Sequence, residues 1–236
     1  MGKSMVVGIL KSKNPLKGII WKYIADLANE NLTDMGKCPD PDFWSNHFPV
    51  WGICAPYIRS GLKKGDMVFF LPQKGKGFSG YVCSGVLVVE RSIECYKEAL
   101  LSADFSEKYK VLLEEDMKDH LDDDLRRNKP RTAKIRQRNL ILGNREYSYW
   151  YGKAGLKMLP LLHKIGLKRC ADEIVSRRNQ SIHRLDADQT TRLYQEIVAS
   201  FSQATRSIMQ NPIAQETVAQ TCSFALHERL KRDLAP

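Results

Sequence analysis

With 236 residues the chain is long enough to bury a sizeable core as one large or two small domains. No window is apolar for long enough to span a bilayer, and the opening MGKSMVVGIL lacks a full signal-peptide pattern, so a cytoplasmic protein with no membrane partner is expected. The net charge of +10 argues for a phosphate-bearing partner, the more so because it is unevenly spread.

Residues 1–17 hold a short apolar run, Met5 to Leu10, that reads as a first strand or an ordered arm. Gly2-Lys3-Ser4 is not a phosphate loop, since the upstream glycine of that motif is missing. Gly18 to Asp26 fits either a strand or the start of a helix. From Asn29 to Pro49 the density of Asn, Asp, Pro and Gly predicts a long loop carrying Phe43, Trp44, His47 and Phe48, rings that either bind a ligand or cover a barrel end.

The strongest structural signal lies between Pro49 and Arg91. A Gly65-Asp66 turn leads into Met67 to Leu71, and the glycine-spaced Lys74-Gly75-Lys76-Gly77 leads to a second run, Tyr81 to Val89. These runs predict a hairpin, with Gly85 at a bulge or bend. Ser92 to Asp124 then turns helical and acidic. Its carboxylates from Glu114 to Asp124 point in many directions on a helix, which favours a solvated face over a metal site, and no metal is assigned.

Between Arg126 and Arg178 fifteen Lys or Arg residues stand against Glu146, Asp172 and Glu173, the electrostatic footprint of a nucleic-acid partner. Arg126 to Arg138 has few apolar residues and reads as a loop or arm suited to a phosphate backbone. Asn139 to Leu142, a Gly143-Asn144 turn and Arg145 to Tyr151 predict a second hairpin. Its alternation puts Tyr147, Tyr149 and Tyr151 on one face, suited equally to stacking bases and to a core. Beyond Gly152 to Gly155 the period becomes helical. One helix is expected over 157–179 with Pro160 in its first turn, a second over 188–209, and a third capped by Asn211 with Pro212 at its first position. A domain of residues 1–156 followed by a helical region of 157–236 is the expected division.

The chain carries no G-x-S-x-G, no H-E-x-x-H and no dinucleotide fingerprint. Asp40 or Asp42 with Glu94 and Lys97 is a weak nuclease pattern, so catalysis stays open, with a non-catalytic role favoured and no cofactor implied. The six cysteines (38, 54, 83, 95, 170 and 222) form no C-x-x-C pair and read as reduced thiols.

Gly52-x-Cys54-x-Pro56-x-Ile58-Arg59, Gly65-Asp66, Asn139 to Leu142 and Tyr149-Trp150-Tyr151-Gly152-Lys153 resemble successive blocks of the second nucleotide-modification-associated domain family. That family sits within the PUA-like superfamily with the EVE, ASCH and YTH domains. The chain departs from its pattern at Ala55 and Met67, where the family has lysine and tryptophan. The resemblance implies an α+β fold, a PUA/EVE-like small β-barrel with flanking helices, here with a C-terminal helical extension. It implies a reader of nucleic acid, DNA favoured over RNA, that seats a modified base in DNA modification or phage defence. The walls of the base pocket would be Trp44, Trp51, Tyr57 and Phe78, with Asn46 and Ser79 at the base edge. Phosphates would fall to Arg59, Lys74, Lys76, Arg131, Arg136 and Arg138. Two other functions fit the residues: a metal-dependent enzyme acting on a nucleotide, and an interaction protein whose helical tail dimerises it or docks a partner.

Overall fold

A computed structural model describes residues 17–23, 40–43, 46, 48–72, 81–150, 156–176 and 181–209. In chain order the elements are β1 (Gly18–Tyr23), β2 (Val50–Trp51), α1 (Pro56–Arg59), β3 (Met67–Pro72), β4 (Val82–Cys83) and β5 (Gly85–Cys95). They continue with α2 (Tyr96–Leu101), α3 (Glu107–Arg126), α4 (Pro130–Arg136), β6 (Arg138–Gly143), β7 (Tyr149–Trp150) and β8 (Leu156–Lys157). Last come α5 (Met158–Lys164), α6 (Lys168–Ser176), β9 (Ser181–Leu185) and α7 (Ala187–Met209). The class is mixed α and β, with a multi-stranded sheet and seven helices among the described residues. No described helix is long and apolar enough to cross a membrane.

Contacts divide the chain into two interleaved units. The first takes Met1–Asn29, Gly65–Leu87 and Tyr149–Pro236, the second Glu30–Lys64 and Val88–Ser148. This division differs from a cut after residue 156, because the C-terminal helices share a unit with β1 and β3.

In the first unit β3 runs parallel to β1, from Gly18↔Met67 to Tyr23↔Pro72, and β9 pairs antiparallel with β1 from Gly18↔Leu185. A parallel pair needs a long crossover, and here the chain visits the second unit between the two strands. Met67 to Leu71 are all buried, the continuous burial of a strand covered on both faces. Ile20, Val86, Leu87, Leu162, Ile174, Leu193 and Ile197 join them. Asp66 fixes the entry to β3 by accepting the Lys17 amide at 3.1 Å, while the Met67 amide donates to the Lys17 carbonyl at 3.0 Å.

In the second unit β6 lies between β2 and the later part of β5, with Val50↔Leu142 on one side and Ile93↔Leu140 on the other. Helix α3 begins at Ser106, whose hydroxyl accepts the Tyr109 amide at 3.2 Å. Tyr109, Leu113 and Met117 recur every four residues and are fully buried, packing with Val50, Ile53, Ile93, Phe105, Leu140 and Leu142. So narrow a stripe leaves much of the helix to solvent, which accounts for its acidic composition, although Asp124 is buried.

Several expectations are corrected. The described strands form open paths in each unit and do not close into a barrel. The stretch Ser92 to Cys95 continues β5 instead of starting a helix, because Ile93 is buried against Leu140. The second hairpin does not form between its two arms: β6 pairs with β5 from Val89 onward, whereas β7 pairs with β5 at Gly85 and Val86. The intervening residues form a wider loop, in which the Asn144 side-chain oxygen accepts the amides of Glu146 and Tyr147 and Ser148 donates its amide to the Asn144 carbonyl at 2.9 Å. The helix expected over 157–179 is broken between α5 and α6 at Gly166, whose φ of +79° is the left-handed conformation that glycine adopts freely. Pro160 does fall in the first turn of α5, and α7 matches the expected second helix. The third helix, the N-terminal run and the Lys74 to Gly80 loop lie outside the described residues.

Candidate nucleic-acid interface

Residues 126–138 are structured, contrary to the loop or arm expected of so polar a segment. Helix α3 ends on Asn128 at φ +54°, and the amides of Arg127, Asn128 and Lys129 close back on the carbonyls of Asp123, Leu125 and Asp124. Pro130 then opens α4, where its missing N–H costs no bond. The buried Ala133 seats the helix, and Arg136 locks it. The Arg136 guanidinium grips the buried Asp124 through both forks, Nε to Oδ2 at 2.7 Å and Nη2 to Oδ1 at 3.1 Å, and donates from Nη1 to the Ile53 carbonyl at 2.9 Å. Its charge is therefore answered within the fold.

The turn that meets α4 is held as firmly. Asp40 accepts the backbone amides of Gly52 at 2.8 Å and Ile53 at 3.1 Å, and that of Cys54 as well. Ala55 takes a left-handed conformation at φ +48°, and Pro56 starts the single turn of α1. Arg59, fully buried, donates from Nε to the Cys54 carbonyl at 3.0 Å. Its Nη1 donates to the carbonyls of Arg138 at 2.8 Å and Asn139 at 2.6 Å, and its Nη2 to those of Ile53 at 3.3 Å and Arg136 at 3.0 Å. All five donors of the guanidinium reach backbone oxygens. Burial lowers its pKa to about 10, which still leaves it charged at neutral pH, and the nearby Asp40 carboxylate opposes that lowering. Burial, together with the charge and hydrogen bond of Asp40, pushes the Cys54 thiol well above its usual range.

Five exposed side chains emerge from this framework. Tyr57 is 54% exposed, and its hydroxyl sits 3.1 Å from the Thr132 hydroxyl on α4. Around α4 the exposed Lys129, Arg131, Lys134 and Arg138 have no carboxylate partner among the described residues. Arg126 and Arg127, by contrast, are offset by Asp123.

The structure thus brings together Tyr57, Arg131 and Arg138 from the sequence-based set and adds Lys129, Thr132 and Lys134. The lysines belong to the basic run visible in the sequence, whereas Thr132 had no signal of its own. Arg59 and Arg136 serve the interior, Arg59 with all five donors on backbone carbonyls and Arg136 through its bonds to Asp124 and Ile53. Trp51 is fully buried in β2. Asn46 is tied down, donating to Asp42 Oδ2 at 3.0 Å and accepting the Ser106 amide at 3.1 Å. Tyr149 is a core residue, its ring 6.4 Å from that of Tyr194. Trp44, Lys74, Lys76, Phe78 and Ser79 lie outside the described residues.

The weak nuclease pattern is not gathered into a site. Asp40 holds backbone amides, Asp42 is buried, and Glu94 and Lys97 are exposed on β5 and α2. On α3, Asp119 and Asp122 border an open recess with Leu125 and Arg126. No group of three or more metal-ligating side chains is found among the described residues. Comparison with known proteins finds no matching family model, no matching curated protein and no matching solved structure.

Proposed function

We propose that the chain binds nucleic acid through the α4 face, with Lys129, Arg131, Lys134 and Arg138 contacting phosphates. The observation that carries this reading is four exposed cations within residues 129–138 with no carboxylate partner among the described residues, on or next to a helix whose Thr132 hydroxyl meets that of the exposed Tyr57. A basic cluster with no carboxylate partner among the described residues is the ordinary electrostatic preparation for a polyanion. The resemblance to the nucleotide-modification-associated family adds DNA as the favoured partner and recognition of an altered base, in DNA modification or phage defence, as the context. Fluorescence anisotropy with labelled oligonucleotides tests the reading across a salt series. Four phosphate contacts on a single strand give a log–log salt slope of about −3. Arg131→Glu with Lys134→Glu lowers affinity at least tenfold at low salt, as expected for loss of two phosphate contacts and introduction of repulsion. Absent or salt-independent binding to both DNA and RNA would sink the proposal.

A further inference from the structure

We propose that the α4 face takes a single-stranded polynucleotide, with one base stacked on the Tyr57 ring and Thr132 holding that ring in place. The inference rests on the nucleic-acid reading above and adds the strandedness of the ligand and the residue that senses it.

An exposed tyrosine by itself means little, since single apolar side chains are common on surfaces. Here the ring is fixed at both ends. Its backbone belongs to the turn clamped by Asp40 and by the five-bond guanidinium of Arg59, two residues further along. Its hydroxyl meets Thr132 Oγ1 at 3.1 Å, tying the tip of the ring to the helix that bears the cations. The Arg59 bonds to the carbonyls of Arg136, Arg138 and Asn139 and the Arg136 bond to Ile53 fix the same turn against the C-terminal end of that basic segment. An aromatic held this way loses little conformational entropy when a ligand arrives.

The chemistry of a rigid ring beside unpaired cations is stacking plus phosphate contact. A base in a duplex has both π-faces covered by its neighbours, whereas an unpaired base offers one to a protein ring. Stacking tolerates any base identity and either sugar, so the Tyr57 contact selects single strands while the preference for DNA and for an altered base comes from other contacts. The hydroxyl of Tyr57 is committed to Thr132 and takes no part in reading base edges.

The test uses the full chain and four fluorescent probes of equal length at one low salt concentration: oligothymidylate, oligouridylate, an abasic phosphodeoxyribose oligomer and a DNA duplex. Oligothymidylate is expected to bind about tenfold more tightly than the abasic oligomer, because only the latter lacks a base to stack. Tyr57→Ala removes that difference and leaves the abasic oligomer and duplex bound as before, while Tyr57→Phe keeps most of it. Thr132→Ala shrinks the difference without changing abasic binding, and Thr132→Ser restores it. An equal effect of Tyr57→Ala on oligothymidylate and oligouridylate supports stacking without choice of sugar; loss on one alone overturns that part. Equal wild-type affinity for oligothymidylate and its abasic analogue, or duplex preferred over both, overturns the inference and needs no variant to fold. In that event the proposed function survives if Arg131→Ala with Lys134→Ala still weakens every probe. Failure of all four probes to bind removes the reading on which the inference rests.

Discussion

Arg59 shows how little a residue's type says about its task. An arginine after an aromatic in a basic protein suggests phosphate, yet this one is enclosed and donates to five backbone carbonyls, of which Ile53 also receives Arg136. Arg59→Lys supplies three donors on a flexible stem, and Arg59→Met supplies none. We expect the methionine variant to lose about 3 kcal/mol or more and the lysine variant about half as much. Urea denaturation read by circular dichroism would check this through the midpoint at constant slope. Cys83 is a second buried group with a measurable consequence. Burial raises its thiol from 9.0 to about 12, partly offset by a hydrogen bond with the Gly85 backbone. The folded state therefore holds this proton more tightly than the unfolded chain. Its stabilising share is complete below about pH 9 and is lost as pH climbs through about 12. Cys83→Ala should accordingly flatten the alkaline fall in stability between those values, seen as a shallower decline of melting temperature with pH.

At the scale of elements, α7 packs tightly on β1 at Gly18. A Cβ added at Gly18 would collide with the side chain of Thr190, which is itself buried and donates its hydroxyl to the Asp186 carbonyl at 2.5 Å. Gly18→Ala should cost about 1–3 kcal/mol, and a Thr190→Ala background should remove much of that cost, a non-additivity that a double-mutant thermal denaturation cycle would measure. Elements with a strong local pattern were legible in the sequence. Met67 to Leu71 and the long helix ending at Met209 needed only an apolar run or a 3.6-residue period. Pairing was less legible. The arms around Gly143-Asn144 look like a hairpin, but the Asn144 side chain bonds the backbone locally, the Ser148 hydroxyl bonds the Val88 backbone on β5, and the two arms pair with separate parts of β5. Strand β9 escaped notice because its buried alternate positions are His183 and Leu185, with Ile182 turned outward. The candidate site was legible as charge density and illegible as geometry. Which arginines are free depends on Asp124 lying opposite Arg136 and on carbonyls converging on Arg59, and neither is a local property.

For the whole molecule, the interleaving of the two units decides what can be removed. Residues 157–236 bring β9, which pairs with β1, and Leu193, Tyr194 and Ile197, which are buried in the first unit. A chain ending at residue 156 is thus expected to lose the cooperative transition of that unit and to expose its apolar strands. Size-exclusion chromatography and a thermal melt would check it, aggregation or a broadened transition being the expected outcome. A tail that served partners alone would come away cleanly.

The same interleaving sets a timetable for synthesis. The first unit begins with β1, the earliest strand among the described residues, yet its partner β9 and covering helix α7 are among the last described elements to leave the ribosome. The second unit is complete once Ser148 has emerged. During translation the half that starts later can therefore fold earlier, while β1 and β3 wait with their apolar residues uncovered. That interval, fixed by the order of the chain, is when the nascent protein most needs a chaperone.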